Sequence, residues 1–113
     1  MGARTVMTQE RIRLEPLEIN ALMRNFNRCF ASGDHLWIFG SRVNPQARGG
    51  DIDLYIETVI SSTPEVFEKQ NDFLYSLYEE IGLQKIDVVL NLVNNGTHLP
   101  IYDIAKSEGI QLV

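Results

Sequence analysis

The chain has 113 residues, of which 44% are hydrophobic and 22% charged, and its net charge is −5. This length and composition predict one small globular domain, because they provide for a single packed core. No apolar run approaches the roughly 20 residues that a membrane span needs. The acidic balance and the scattered basic residues argue against direct binding of a nucleic-acid backbone, and the single cysteine excludes a disulfide framework.

Residues 1–13 are mostly polar and have no clear hydrophobic period, so we interpret them as an N-terminal arm ahead of a domain over 14–113. The arm lacks an apolar stretch of the kind found in secretory signals. A single cysteine also suits a reducing compartment. These features together predict a cytoplasmic protein.

Hydrophobic periodicity predicts helices and strands that alternate along the rest of the chain, which favours an α+β fold. Cap and turn residues mark the ends, with Pro16 and Ser62 opening helices and Gly82 and Gly109 closing them. The predicted helices span about 15–31, 63–81 and 100–108. The predicted strands span 36–39, 51–60 and 85–91, and residues 110–113 form either a short strand or a packed terminal segment.

The stretch from Trp37 to Glu57 carries the most informative pattern. An apolar strand ends at Gly40-Ser41, and a loop then leads to a strand on which Asp51 and Asp53 alternate with apolar residues. Because side chains on a strand alternate between its faces, both carboxylates project from one face while the apolar residues project into a core. Adjacent carboxylates repel each other unless a cation lies between them, and Mg²⁺ prefers such oxygen ligands together with substrate phosphates.

Asp87 lies on the next apolar strand, on the face opposite Ile86 and Val88. If this strand pairs with the one carrying Asp51 and Asp53, three carboxylates converge beside the Gly-Ser turn. Two metal ions held by such a cluster can bind a triphosphate, activate an attacking oxygen and stabilise a leaving pyrophosphate. Glycine lets the backbone approach phosphate closely, and N–H groups and a serine hydroxyl can bind its oxygens.

The order GS, nine residues, DID and a later Asp on an apolar strand resembles the DNA polymerase β-like nucleotidyltransferase superfamily. Within it, the short chain resembles the minimal nucleotidyltransferases, and the resemblance runs from about Leu36 to Leu112. It implies a small mixed β-sheet flanked by helices. Gly50 departs from the family pattern, in which a small polar residue such as Ser is common. The resemblance assigns the nucleotide phosphates to Gly40, Ser41 and Arg42, the metal to Asp51, Asp53 and Asp87, and deprotonation of the attacking hydroxyl to Asp87.

The resemblance also implies a function. Minimal nucleotidyltransferases are commonly paired with a helical HEPN protein, as antitoxin and toxin, and transfer AMP from ATP to a tyrosine of the toxin. We therefore expect a Mg²⁺-dependent nucleotidyltransferase whose acceptor hydroxyl lies on a partner protein, in a homo- or hetero-oligomer. Two alternatives stay open: a binding module that neutralises its partner by occlusion without catalysis, and a transferase acting on a small hydroxylated compound.

The remaining polar and aromatic candidates favour structural roles. We interpret Lys85 as a solvated charge beside its strand and Cys29 as a core thiol. The other candidates are Arg48 as a solvated loop charge, His35 and His98 as structural or surface residues, and Trp37 and Tyr55 as packing residues.

Overall fold

The computed structural model describes residues 12–47 and 50–113, which form a four-stranded sheet with helices on both faces. Of the predicted arm over 1–13, only the last two residues fall within this part of the chain. In chain order the elements are α1 (Pro16–Cys29), β1 (His35–Phe39), β2 (Ile52–Thr58), α2 (Thr63–Ile81), β3 (Ile86–Leu92), α3 (Pro100–Glu108) and β4 (Ile110–Gln111), with 3₁₀ turns at Gly40–Val43 and Val93–Asn95.

The strands lie in the order β3-β2-β1-β4. β1 is antiparallel to both β2 and β4, whereas β2 and β3 are parallel and are joined by the crossover through α2. The sheet is therefore mixed, and the predicted α+β class with a small mixed sheet flanked by helices is confirmed. Residues 110 and 111 resolve the open alternative at the C-terminus, because they form the edge strand β4.

Two apolar clusters lie on opposite faces of the sheet. The larger joins α1 and α2 to the alternate residues of β1 and β2 that include Leu36, Ile38 and Leu54. The smaller packs Trp37 and Tyr55 beneath Tyr102 of α3. The period-two alternation predicted for β2 therefore decides which of its side chains share a face with Asp53. No helix of the described residues is both long and apolar enough to cross a bilayer.

Most predicted element ends lie within one residue of the observed ones, and two differ by two residues for the same reason. Ser62 caps α2 by accepting a hydrogen bond from the Glu65 N–H at 3.4 Å. The first helix ends at Cys29 rather than near residue 31, and β2 ends at Thr58 rather than 60. The buried Asp34 carboxylate accounts for both, because it accepts hydrogen bonds from the N–H groups of Ala31 (3.1 Å) and Val59 (2.9 Å). These donors are thereby withdrawn from the helix and the strand ladder.

Candidate functional site

The Gly40-Ser41 turn begins directly after β1 and lies against the first residues of β2. Gly40 has a φ of +75°, and a Cβ at this position would overlap the Asp53 carboxylate. A glycine is therefore required both for the backbone conformation and for the close approach. The turn predicted to bind phosphate is in direct contact with one of the predicted metal ligands.

Gly50 packs against Ser41 of the same turn. Its φ is +95°, and a Cβ there would overlap the Ser41 hydroxyl. The Ser41 Oγ donates to the backbone oxygen of Asp51 at 3.5 Å, which is the long limit of a hydrogen bond. A serine at position 50, as is common in the resembling family, would not fit this packing, so the departure at Gly50 has a local structural reason.

The three predicted carboxylates come from two neighbouring strands. Asp53 of β2 is paired in register with Asp87 of β3, and Asp51 immediately precedes β2. Neighbouring strands lie about 4.8 Å apart, and paired residues project from the same face. The condition placed on the sequence hypothesis, that the second and third strands are neighbours, is therefore met.

Electrostatics shows that the carboxylates affect one another. The pKa of Asp53 is raised, first by its partial burial and then by the charges of Asp87 and Asp51. Lys85 provides the nearest compensation, because its Nζ lies 3.3 Å from Asp51 Oδ2. That hydrogen bond and the surrounding carboxylates raise the pKa of Lys85. We call Asp51, Asp53 and Asp87 together the acidic corner. Their excess negative charge favours the binding of a cation.

The donor chemistry of this corner fits Mg²⁺, since carboxylate oxygens are its preferred protein ligands. Burial is the first cause of the raised pKa of Asp53, and repulsion by Asp87 and Asp51 adds to it; a divalent ion would relieve that repulsion. The carboxylate side chains are not already arranged as metal ligands, however. Among residues 12–47 and 50–113, no group of three or more His, Cys, Asp or Glu side chains has the spacing of metal ligands. The Asp51 carboxylate is instead paired with the Lys85 ammonium, 3.3 Å away.

Arg42 lies behind the turn and is tied to the N-terminal segment. Its Nη1 donates to the backbone oxygen of Arg13 at 2.9 Å, and the Arg13 N–H donates to the Arg42 oxygen at 2.7 Å. The Nε of Arg42 is buried and has no acceptor among the described residues. The predicted contact of Arg42 with phosphate stays a prediction, because the hydrogen bond to Arg13 gives its side chain a structural role as well.

Arg13 is a residue that the sequence interpretation missed. Its guanidinium donates to the carbonyl oxygens of Ser41 (2.8 and 3.2 Å) and Asn44 (3.0 Å), so it clamps the 3₁₀ turn from behind. Ile12 beside it is buried in the larger cluster. Nothing in the polar, aperiodic segment 1–13 could have indicated this contact.

A depression of about 420 Å³ lies beside the turn and offers room for a ligand. Glu108, at the end of α3, contributes a carboxylate to its wall. The lining residues are Gly40, Ser41, Val43, Asn44, Pro45, Ala47 and Glu108.

The residues assigned structural roles take such positions. Tyr55 is fully buried and its hydroxyl donates to Glu57 at 2.8 Å, and Trp37 packs against its ring. Cys29 packs against the larger cluster, and its partial burial raises the pKa of the thiol. His35 and His98 are exposed, and Arg48 lies outside the described residues. Lys85 is exposed, as predicted, but its ion pair with Asp51 was not foreseen.

Comparison with known proteins does not assign the chain to a family. No family model matches it, and a search of curated proteins found no match.

Proposed function

We propose that this protein is a Mg²⁺-dependent nucleotidyltransferase that transfers AMP from ATP to a hydroxyl group on a partner protein. The observation that carries the proposal is the in-register pair of Asp53 and Asp87, with the Gly40 turn packed on the Asp53 carboxylate. Acidic side chains on neighbouring strands beside a glycine turn bring a cation site and a phosphate site together. A sheet that needed only a solvated face would gain nothing from this repulsion.

The described residues divide the reaction between them. The Gly40-Ser41 turn would hold the phosphates through its N–H groups and the serine hydroxyl. Asp51 and Asp53 would hold Mg²⁺, which when bound neutralises phosphate charge and stabilises the leaving pyrophosphate. Asp87 is exposed and open to an incoming hydroxyl group. It would accept the hydroxyl proton as that oxygen bonds to the α-phosphorus and the bond to pyrophosphate breaks.

The sequence resemblance supports the choice of acceptor protein and the proposed biological role. That resemblance favours a helical HEPN protein as partner, with this chain as the antitoxin of a cytoplasmic toxin–antitoxin pair. Modification of a toxin tyrosine would then silence its RNase activity.

A transfer assay tests the proposal. The protein is incubated with Mg²⁺, ATP labelled at the α-phosphate, and the product of the neighbouring gene. We expect label on the partner with the wild-type chain and with Asp72→Ala, a control at an exposed aspartate of α2. We expect at least about a hundredfold less label with Asp53→Ala, as is typical when a catalytic electrostatic group is removed. Equal labelling by Asp53→Ala, or no labelling by the wild type, would overturn the proposal.

One observation favours neutralisation by occlusion as a second candidate. The Asp51 carboxylate already has the Lys85 ammonium at 3.3 Å, and this pair needs no metal. In this candidate function the acidic corner is a charged docking surface rather than a catalytic centre. Asp51→Asn should then still neutralise the partner without any transfer of label, whereas the transferase predicts that neutralisation is lost.

A further inference from the structure

β3 is an edge strand of the sheet and has little of the protection that edge strands normally carry. β3 is the last strand of the sheet, and within the described residues it pairs only with β2. It spans seven residues, Ile86–Leu92, with a single charge and no proline or lysine. Such an edge is normally protected by charges, prolines or a covering segment, because its free N–H and C=O groups invite another strand.

The backbone geometry shows which groups of β3 point away from β2, the only strand that pairs with it in the described part of the chain. The Lys85 carbonyl accepts a hydrogen bond from the Ile52 N–H at 3.0 Å, so it points toward β2. Because successive residues of a strand point their backbone groups to opposite sides, Asp87, Val89 and Asn91 also face β2. The groups that face away from the sheet belong to the alternate residues Ile86, Val88, Leu90 and Leu92.

The apolar side chains of β3 are also incompletely covered. Ile86, Val88, Leu90 and Leu92 pack against the larger cluster but are only partly buried, whereas Leu54 and Ile56 of the neighbouring strand are fully buried. A further strand at this edge would extend the sheet and remove more of this apolar surface from water.

The sequence of β3 is complementary to itself. In an antiparallel pair with Val89 opposite Val89, every residue of the strand has a partner on the same face. Asp87 then lies opposite Asn91, and Val88 opposite Leu90. Shifting the centre to Val88 or Leu90 leaves Asp87 opposite Val89 or Val93. Of these three registers, only the one centred on Val89 pairs the whole of Ile86–Leu92 and gives the carboxylate a polar partner.

We infer that the edge of β3 binds a second copy of this chain, forming a dimer with a continuous eight-stranded sheet. In the Val89 register, Ile86, Val88, Leu90 and Leu92 exchange backbone hydrogen bonds across the two-fold axis. The pair of Asp87 and Asn91 is of the closely spaced kind, with Cα atoms about 4.5 Å apart. The Asn91 side-chain amide donates one hydrogen to Tyr55 Oη at 3.0 Å. Its other hydrogen is left to donate to Asp87 of the second copy. The dimer would thus place the Asn91 amide of each chain on one oxygen of the Asp87 carboxylate of the other, and leave the second oxygen for an incoming hydroxyl group.

Amide hydrogen exchange of the full chain, followed residue by residue at low and high protein concentration, tests the inference. The Val88 and Leu90 amides should exchange rapidly in the dilute protein and become protected as concentration rises. The Val89 amide, which faces β2, should be protected at both concentrations. The mass in solution should rise from 12.9 kDa to twice that value over the same range. A chain that stays monomeric, or Val88 and Leu90 amides that stay exposed in a dimer, would overturn the inference.

Charge variants test the register. Asn91→Asp places two like charges opposite each other twice per dimer, and we expect the dissociation constant to rise about tenfold. The double variant Asp87→Asn with Asn91→Asp restores an amide opposite each carboxylate, so dimerisation should return. Both variants lose the amide donor to Tyr55, so that loss cancels when the two are compared. Asn71→Asp, which adds the same charge on exposed α2, should leave the dimer unchanged. Equal dimerisation by all three variants, or failure of the double variant to recover, would contradict this register.

Discussion

At the scale of single residues, Asp53 is held in an environment that opposes its charge. Burial and the carboxylates of Asp87 and Asp51 raise its pKa. The folded state therefore binds this proton more tightly than the unfolded chain, and stability is lost as pH rises from the ordinary aspartate pKa of 3.8 through the raised value. Burial of the Asp53 charge and its repulsion by Asp87 and Asp51 are together a stability cost of the metal-free protein at neutral pH.

Asp53→Asn should therefore stabilise the metal-free protein at neutral pH. After allowance for solvent screening we expect about 0.5 kcal/mol, or about 2–4 °C in melting temperature. The gain should shrink as pH falls and vanish well below the ordinary aspartate pKa of 3.8, where Asp53 is protonated in both states. Thermal unfolding with a chelator present at several pH values measures this, and the exposed Asp72→Asn is the control. A gain of the same size at all pH values would show that the charge of Asp53 is not its origin.

Gly40 sets the distance between the turn and the acidic corner. Gly40→Ala adds a Cβ that overlaps the Asp53 carboxylate and must also adopt a φ of +75°. Gly96 is a matched control, because its φ is +78° and nothing lies within 4 Å of an added Cβ. We expect Gly96→Ala to cost about 1 kcal/mol for the backbone alone. Gly40→Ala should cost about 1–3 kcal/mol more, and should also weaken binding of Mg²⁺.

Denaturant unfolding and calorimetric titration with Mg²⁺ measure the two effects. Equal unfolding free energies and equal Mg²⁺ affinities for the two glycine variants would mean that contact with Asp53 does not constrain the turn.

At the scale of elements, the 3₁₀ turn Gly40–Val43 is held from behind by a segment distant in sequence. Arg13 donates to Ser41 and Asn44 oxygens, and Arg42 donates back to the residue 13 carbonyl. Arg13→Ala should release the turn and lower the affinity for ATP in the presence of Mg²⁺ about tenfold. We also expect it to lower the free energy of unfolding by about 1–2 kcal/mol, because the partly buried Ser41 carbonyl and the exposed Asn44 carbonyl both lose a charged donor.

Arg24→Ala is the matched control, since Arg24 forms an exposed ion pair with Glu80 at 2.6 Å between α1 and α2. Exposed pairs contribute at most about 1 kcal/mol, and this one is not in contact with the turn. Nucleotide titration and chemical unfolding of both variants make the comparison. Unchanged nucleotide affinity in Arg13→Ala would show that the clamp does not shape the phosphate site.

The sequence predicts those elements whose determinants are local. The alternation of Asp51 and Asp53 with apolar residues determines their face, and proline, serine and glycine determine the ends of α2 and α3. The register of Asp53 with Asp87 depends on parallel pairing across a helical crossover, so the sequence could state it only as a condition. Arg13 and the pair of Lys85 with Asp51 lie beyond local patterns, because an isolated basic residue has no period that reveals its partner.

At the scale of the whole molecule, the proposed substrate should act as a folding ligand. Asp53 lies on β2 and Asp87 on β3, and Gly40 directly follows β1. A ligand bound at the acidic corner would therefore lie beside all three strands. A ligand that binds only the folded state stabilises it by about 2.7 kcal/mol at a hundred times its dissociation constant. For a domain of this size that is a rise of about 10 °C or more in melting temperature.

We therefore expect Mg²⁺ and a non-hydrolysable ATP analogue together to raise the melting temperature far more than either alone. The molecule carries a net charge of −5, so nucleotide without metal is repelled by the same carboxylates that the metal would neutralise. Asp53→Asn should lose the joint effect even though it stabilises the metal-free chain, whereas Asp72→Asn should keep it. This opposite response of one variant separates ligand binding from general stabilisation. A joint effect that survives in Asp53→Asn would move the nucleotide site away from the paired aspartates.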